Sequence, residues 1–154
     1  MGSRQIISDE YIAGFLDGDG SIVATLEKYK SSKFPYRVRL KLNFTQHIRH
    51  RKFIKYIYLA LNKVGAIREA KKHNMVELVI QERRQLKQVL VRLSPYLVLK
   101  KKQAEIALAI LEFLSKNKKH QPSILSNREY TRILRNVCKI RSLNSNTGGK
   151  RMNL

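Results

Sequence analysis

The sequence predicts an α+β fold with one four-stranded antiparallel sheet, and three observations lead to this fold class. Two segments alternate apolar and polar residues and contain turn signals, as hairpins do, while the other apolar residues recur at helical spacing. The segments follow one another as helix, hairpin, helix, hairpin and then further helices. Two hairpins supply four strands, which is enough for a stable sheet with one buried face.

The first helix is predicted to begin after the N-cap Ser8 and to end near Gly18, because acids in its first turn suit the positive end of a helix. The strands of the first hairpin are expected at 21–29 and 37–44. The second of these strands has strict alternation, so one face should meet a core. The side chains on that face are Val38, Leu40, Leu42 and Phe44.

The second half of the chain is predicted to be mostly helical around a second hairpin. That hairpin is expected at 66–81, with Ile67 facing the core and Arg68 facing out. One domain is predicted over 1–141, and the polar tail 142–154 is predicted to be disordered. Helices are expected at 49–63, 82–93, 101–115 and 127–140.

The charge of the chain favours a polyanionic partner. Thirty-two Lys and Arg residues oppose 11 Asp and Glu residues, which gives a formal net charge of +21 at pH 7. Nucleic acid, an anionic membrane or an acidic protein would each fit this excess, and we favour nucleic acid. Ribosomal proteins and histones have the same excess, so charge predicts the class of partner and not an activity.

Cysteine content and hydropathy further limit the kinds of protein that this chain can be. The one cysteine, Cys138, excludes an intrachain disulfide and a Cys-rich zinc site, and we expect it to be a core residue. No apolar stretch approaches the roughly 18 residues of a membrane span, and the N-terminus has no secretory signal pattern. We therefore expect an intracellular protein, in an organelle or a prokaryotic cytoplasm.

Two of the three Asp residues, Asp17 and Asp19, lie at the end of the first helix. Carboxylates at a helix C-terminus oppose the helix dipole, so a helix gains nothing from them. Mg²⁺ would explain them, because it binds one or two protein carboxylates and fills its shell with water and phosphate oxygens. An Asp-Gly turn leading into a strand is the alternative explanation, and the residues alone leave both open.

Glycines mark one face of the same helix. Gly14 and Gly18 are four residues apart, and each costs a helix about 1 kcal/mol relative to Ala. A protein tolerates this cost where a second backbone approaches closely. The spacing therefore predicts a tight contact at this face, although a frayed helix end would also contain glycine.

The outward face of the strands is a candidate DNA-reading surface. A two-stranded ribbon fits the major groove of B-DNA, where Arg reads guanine, Asn reads adenine and Glu accepts from cytosine. A solvated strand face with ordinary alternation is the other interpretation. The candidate DNA-binding residues are Thr25, Glu27, Tyr29, Ser31, Ser32, Arg37, Arg39, Lys41, Asn43, Arg68, Lys72 and Glu77.

The run YIAGFLDGDGS at residues 11–21 resembles the LAGLIDADG motif of homing endonucleases, with the best match to their single-motif, homodimeric type. Residues 44–46 and the run PYLVLKKKQA at 95–104 are also similar to segments of that family. The resemblance covers roughly residues 8–115. It implies an αββαββα core with a saddle-shaped antiparallel sheet and, here, an additional C-terminal helix.

The resemblance also implies an activity. Members of this type cut both strands of a long, near-palindromic DNA target by metal-dependent hydrolysis and leave 3′ overhangs. Mg²⁺ or Mn²⁺ is the implied cofactor, and double-stranded DNA and a second copy of the chain are the implied partners. The implied dimer interface consists of Ala13, Gly14, Phe15 and Gly18.

Individual site residues follow from the match to the motif positions. Asp19 corresponds to the metal-binding carboxylate, Gly18 to a backbone carbonyl ligand, and Gln46 and Lys100 to polar residues that position water and phosphate. Relatives have Arg at the position of His50. Either His50 itself or a neighbouring Arg takes that role; the implied catalytic set is Asp19, Gln46, Lys100, His50 and Arg51.

Other functions stay open at the level of sequence. An intron maturase on the same fold would bind intron RNA through a basic surface such as the last helix. A DNA-binding regulator would keep the fold without catalysis, and a ribosomal-type protein would leave the acidic motif unexplained. The basic residues of the last helix considered for RNA are Arg128, Arg132, Arg135 and Arg141.

Overall fold

Five α-helices and four strands occur in the described residues, in the order that the sequence predicts. The computed structural model describes residues 7–30, 33–118 and 123–145. The helices are α1 (Asp9–Asp19), α2 (Arg51–Ala60), α3 (Arg83–Leu93), α4 (Lys101–Ser115) and α5 (Asn127–Ser145). The strands are β1 (Gly20–Lys28), β2 (Tyr36–His47), β3 (Ala66–Ala70) and β4 (Met75–Ile80).

The strands form one sheet in the order β1-β2-β4-β3. β4 pairs antiparallel with both β2 and β3, which confirms the predicted antiparallel α+β architecture. By contacts the chain divides into two compact units, one of residues 1–21 with 41–101 and the other of residues 22–40 with 102–154. In the described ranges, no helix has both the length and the apolar character needed to cross a membrane.

The first unit is held together at the start of α1. Ser8 caps this helix, its Oγ accepting from the Tyr11 backbone N–H at 3.3 Å, as the sequence predicts. Arg92, in the last turn of α3, forms a salt bridge with Asp9 at 2.7 Å and donates to the Ala60 carbonyl at the end of α2 at 3.0 Å. One guanidinium thereby links the ends of three helices.

α2 ends earlier than the predicted residue 63. Asn62 and Lys63 have φ angles of 57° and 59°, so the chain leaves the helix in the left-handed region just after Ala60. Gly65 follows with φ 84°, and a Cβ there would lie 2.6 Å from the Val79 carbonyl oxygen. The chain therefore reverses over the five residues 61–65 between α2 and β3, which the apolar periodicity alone did not reveal.

Most residues predicted to lie on the buried face of the sheet in this unit are buried. Leu42, Phe44, Val76, Leu78 and Ile80 have no exposed surface. The expectation that Ile67 packs into the core is wrong, since it stays 39% exposed. It pairs in register with Leu78 and lies on the apolar face, but β3 is the edge strand and every residue in it is exposed.

In the second unit, α5 begins with a capping box. The Ser126 N–H donates to the Glu129 carboxylate at 2.8 Å, and the Glu129 N–H donates to Ser126 Oγ at 3.2 Å. The Tyr130 ring stacks on Phe34 with centroids 4.0 Å apart, and its hydroxyl donates to the Tyr36 carbonyl at 3.2 Å. These contacts fix the start of α5 to the end of the β1–β2 hairpin.

α5 continues five residues beyond the predicted end at Ile140. Asn144 Nδ2 donates to the Ile22 carbonyl at 2.9 Å, which holds the added turn in place. Residues 142–145 of the predicted disordered tail are therefore helical, and 146–154 lie outside the described residues. Cys138 was predicted to be buried; this is wrong, because it lies on the exposed side of α5.

Candidate catalytic site and nucleic-acid interface

Asp17 has a structural role at the end of α1. Its side chain is buried, and its carboxylate accepts the backbone N–H groups of Val98, Leu99 and Lys100 at 2.7, 3.1 and 2.9 Å. Hydrogen bonds to an ionised group are stronger than those between neutral groups. Asp17 therefore fixes the segment before α4, which explains one of the two carboxylates without a metal.

Asp19 is the last residue of α1 and is exposed. Gln46, near the end of β2, donates from Nε2 to Asp19 Oδ2 at 2.6 Å. The second carboxylate oxygen accepts no hydrogen bond within the described part of the chain. Of the two acids, Asp19 is thus the one that can reach a ligand from solvent.

Lys100 lies beside both acids. Its ammonium donates to the backbone carbonyl of Asp17, at the negative end of the α1 dipole. Burial lowers the pKa of Lys100, and the nearby charges of Asp17 and Asp19 partly offset that effect. The partly desolvated ammonium can bind a phosphate, and the solvent-facing carboxylate beside it can bind the counter-ion of that phosphate.

His50 and Arg51 have different surroundings. His50 lines a shallow cleft of about 320 Å³ together with Asp19 and Gln46, and its Nε2 accepts from Arg49 Nε at 3.3 Å. Arg51 instead forms a salt bridge with Glu69 at 3.6 Å. The structure places His50 in the cleft, whereas Arg51 pairs with Glu69 and its catalytic role stays a prediction.

A divalent metal fits this region only in part. In the ranges described, no group of three or more His, Cys, Asp and Glu side chains could hold a metal ion. Mg²⁺ needs fewer protein ligands than that, and a solvent-facing Asp19 with open space beside Gly18 suits it. One chain therefore supplies one carboxylate and needs further oxygen ligands from elsewhere.

The exposed face of α1 has two glycines, which have no side chains. Gly14 and Gly18 are exposed, and a Cβ added to either would meet no atom of the described residues within 4 Å, apart from the glycine's chain neighbours and the backbone of its own helix. The packing of this chain therefore does not require either glycine. Phe15 is partly exposed, while Ala13 is fully buried in its own core, so its assignment to a dimer interface is wrong.

Two exposed apolar residues next to Asp17 were missed in the sequence. Val98 and Leu99 are 80% and 73% exposed, and their backbone N–H groups are fixed by Asp17. Rigid, exposed aliphatic side chains are typical of a surface that a partner covers. An apolar pair directly before a lysine run was the available signal, but periodicity gave no reason to expect it at the surface.

In the first unit, the polar face of the sheet carries one cross-strand row. Thr45, Glu77 and Arg68 are in register on β2, β4 and β3. Asn43 is only 8% exposed and donates from Nδ2 to Glu77 Oε2 at 3.1 Å. The prediction that Asn43 reads a base directly is therefore corrected: it holds Glu77, and Glu77 and Arg68 are the groups available to a ligand.

The other predicted DNA-binding residues fall into three groups. Lys41 is partly exposed on β2, and Lys72 is exposed in the 3₁₀ turn between β3 and β4. In the second unit, Glu27 and Arg39 form a salt bridge at 2.6 Å with both side chains half exposed. Ser31 and Ser32 lie outside the described residues.

The rest of the hairpin face in the second unit is aromatic and basic. The Arg37 guanidinium lies 6.0 Å from the centre of the Tyr29 ring, and both side chains are exposed. Thr25 is partly exposed on β1. This face therefore presents donors, acceptors and an aromatic surface, as a base-reading ribbon requires.

Comparisons with known proteins bear on the family. A sequence profile described as LAGLIDADG endonuclease matches residues 12–114. DNA endonuclease I-CreI of Chlamydomonas reinhardtii is 34% identical over 115 residues, which cover 75% of this chain and 69% of that protein. DNA endonuclease I-CvuI of Chlorella vulgaris is 33% identical over 118 residues, with the same coverage.

Solved structures agree with the sequence matches. The crystal structure of the homing endonuclease I-CvuI in complex with its target, in the presence of Ca, has a TM-score of 0.76 and 25% identity. The match covers 95% of this chain and 85% of that chain. A second I-CvuI structure, with the I-CreI target and Mg and with the DNA not cleaved, has a TM-score of 0.74.

Proposed function

Because the chain belongs to the LAGLIDADG endonuclease family, we propose that it is a site-specific DNA endonuclease that cuts both strands of a long, near-palindromic target as a homodimer. The observation that carries this proposal is the solvent-facing Asp19 with Gln46 bound to it and the Lys100 ammonium nearby. A DNA-binding regulator would have no use for this group of three side chains.

Two copies of the chain are needed because one chain has one such carboxylate and a double-strand cut has two scissile phosphates. An isologous contact between two α1 helices would bring two Asp19 residues together on a two-fold axis. The bare glycine face and the exposed Val98 and Leu99 support this contact. The site is then incomplete in a single chain and complete in a dimer.

In this dimer, Asp19 and the Gly18 carbonyl would hold Mg²⁺ or Mn²⁺, which, when bound, activates water and stabilises charge on phosphate oxygens. Gln46 orients the Asp19 carboxylate through its 2.6 Å hydrogen bond. Lys100 offsets negative charge that develops on the scissile phosphate. His50 lines the same cleft, and we expect it to take the role that the family resemblance assigns to an Arg.

The strand faces would position the duplex. In one unit Glu77 and Arg68 form one row across neighbouring strands, and in the other Arg37, Arg39 and Glu27 lie on the hairpin. Cations contact phosphates and set the register, while paired donors and acceptors read base edges. We expect 3′ overhangs, as in relatives of the same type.

The test is cleavage selection from a randomised duplex library with Mg²⁺, and with Ca²⁺ as the control. We expect recovery of one near-palindromic site whose cleavage is lost in Asp19→Asn. Binding of the site without cleavage by the unaltered protein in Mg²⁺ would identify a regulator instead. Binding of intron RNA without cleavage of any duplex would identify a maturase.

A further inference from the structure

We propose that the outer face of α5 is a second nucleic-acid surface, which binds the phosphate backbone of another duplex DNA segment while the strand face holds the target. This inference rests on the proposed function, since it assumes a protein that acts on DNA. It concerns a different face of the chain. The surface, here called the α5 stripe, consists of Arg128, Arg132, Arg135 and Lys139.

The α5 stripe is a straight line of cations. Its residues are spaced by four, three and four positions, so they fall within about 60° of the helix circumference. All four side chains are exposed. At 1.5 Å per residue the stripe is about 16 Å long, a length over which one strand of B-DNA has about five phosphates. Arg141, considered from the sequence, is only partly exposed and lies off this line.

In the part of the chain that the structure describes, no carboxylate neutralises the charge of the α5 stripe. The one acid of α5, Glu129, is paired with Lys116 and with Ser126. Within the described residues, no salt bridge joins a carboxylate to any member of the stripe. Arg132 lies 5.9 Å from the centre of the Phe113 ring, which orients its guanidinium without cancelling its charge.

The stripe lies on the side of α5 opposite the hairpin. Tyr130 and Asn144, which bond to Tyr36 and Ile22 of the hairpin, are about 160–200° around the helix from Arg128. The exposed Arg37 and Arg39 lie on the other face of the same hairpin. A duplex lying on Arg37 and Arg39 therefore leaves the stripe uncovered, and the stripe needs a separate ligand.

The types of side chain in the α5 stripe indicate how the stripe binds duplex DNA. It has guanidinium and ammonium groups but no carboxylate or amide, whereas the hairpin face has acceptors beside its cations. Cations alone contact phosphates and do not distinguish bases. The stripe should therefore bind duplex DNA of any sequence, with a steep dependence on salt. A protein with both surfaces can transfer between DNA segments during its search for the target.

The experiment measures bridging of two duplexes by the full chain. A target duplex with a donor dye and a random duplex with an acceptor dye are mixed with protein in Ca²⁺, and energy transfer is recorded against salt. The stripe variant is Arg128→Gln, Arg135→Gln and Lys139→Gln. The control variant, Lys52→Gln, Lys55→Gln and Arg84→Gln, removes the same number of exposed charges from α2 and α3.

We expect wild type and control to bridge the duplexes, and the stripe variant to lose at least tenfold in affinity for the random duplex. The slope of log affinity against log salt should fall by about 2.7 for three lost phosphate contacts. Target cleavage in Mg²⁺ should be unchanged in the stripe variant, which also shows that it is folded.

Equal bridging by wild type and stripe variant, or an equal loss in the control, would overturn the inference. Displacement of the random duplex by tenfold less RNA of the same length would overturn duplex DNA as the ligand. A wild-type protein that does not cleave DNA at all would instead count against the proposed function. A protein that cleaves its target but never bridges would refute only the role of the α5 stripe.

Discussion

Gln46 Nε2 lies 2.6 Å from Asp19 Oδ2, and this hydrogen bond joins the end of β2 to the end of α1 at the candidate catalytic site. The amide donor fixes one of the carboxylate oxygens. Among the described residues, the other oxygen has no hydrogen-bond donor, so it can bind a cation or an ordered water. The two residues therefore act as one unit, in which Gln46 sets the direction of Asp19.

Asp19→Asn should abolish cleavage without affecting the fold. An amide cannot replace the negative charge that a metal ligand supplies, so the cleavage rate should fall by at least about a hundredfold. Because Asp19 is exposed, the free energy of unfolding should change by less than about 0.5 kcal/mol. Single-turnover cleavage and urea denaturation measure the two effects, and normal cleavage by the variant would refute the site assignment.

Asp17→Asn should show the opposite pattern and serves as the matched comparison. The substitution removes the charge that accepts three backbone N–H groups, so we expect a loss of about 2–3 kcal/mol in unfolding free energy. Hydrogen exchange should also become faster at Val98, Leu99 and Lys100. If Asp17→Asn is as stable as Asp19→Asn, the assignment of a structural role to Asp17 and a catalytic role to Asp19 is wrong.

Gly14→Ala should weaken the dimer while leaving the single chain intact. Outside its own helix, a Cβ at this position meets no described atom within 4 Å, and Ala favours a helix by about 1 kcal/mol over Gly. We expect at least a tenfold rise in the dimer dissociation constant by analytical ultracentrifugation. Ser142→Ala on the exposed side of α5 is the control and should leave association unchanged. An unaffected dimer would mean that α1 helices do not meet at this face.

Glu129 should make stability depend on pH in the acid range. Hydrogen bonds from Lys116 and from Ser126 lower the pKa of Glu129 from 4.5 to about 2. Because this carboxyl is more acidic in the folded state, its contribution is complete above pH 4.5 and is lost as pH falls towards 2. Glu129→Gln should therefore flatten the stability profile between these pH values, as measured by urea midpoints. Identical slopes for both proteins would show that the capping box does not contribute.

Arg39→Ala should relax sequence specificity. Its salt bridge with Glu27 is half exposed and contributes little to stability, about 0–1 kcal/mol. If Arg39 reads a base, its loss should weaken binding by about 1–3 kcal/mol at the preferred target and less at targets altered at that base pair. Binding titrations on a panel of single-base variants measure this difference. A uniform loss across the panel would make Arg39 a phosphate contact.

The sequence by itself determined the order of elements, the buried faces of β2 and β4 and the boundaries of α3 and α4, because local periodicity records which side of a segment is buried. The acids of the motif and the glycine face were also visible, since their residue types are unusual at a helix end. The family resemblance added which acid binds a ligand.

Only the tertiary structure decided what Asp17 does, because the three N–H groups that Asp17 binds come from a segment 81–83 residues away in the chain. The tertiary structure also decided that Asn43 is buried against Glu77 of another strand and that Arg51 pairs with Glu69. It likewise decided that Ala13 is enclosed in the core. Burial and hydrogen-bond partners depend on contacts between distant segments, and local periodicity does not record those contacts.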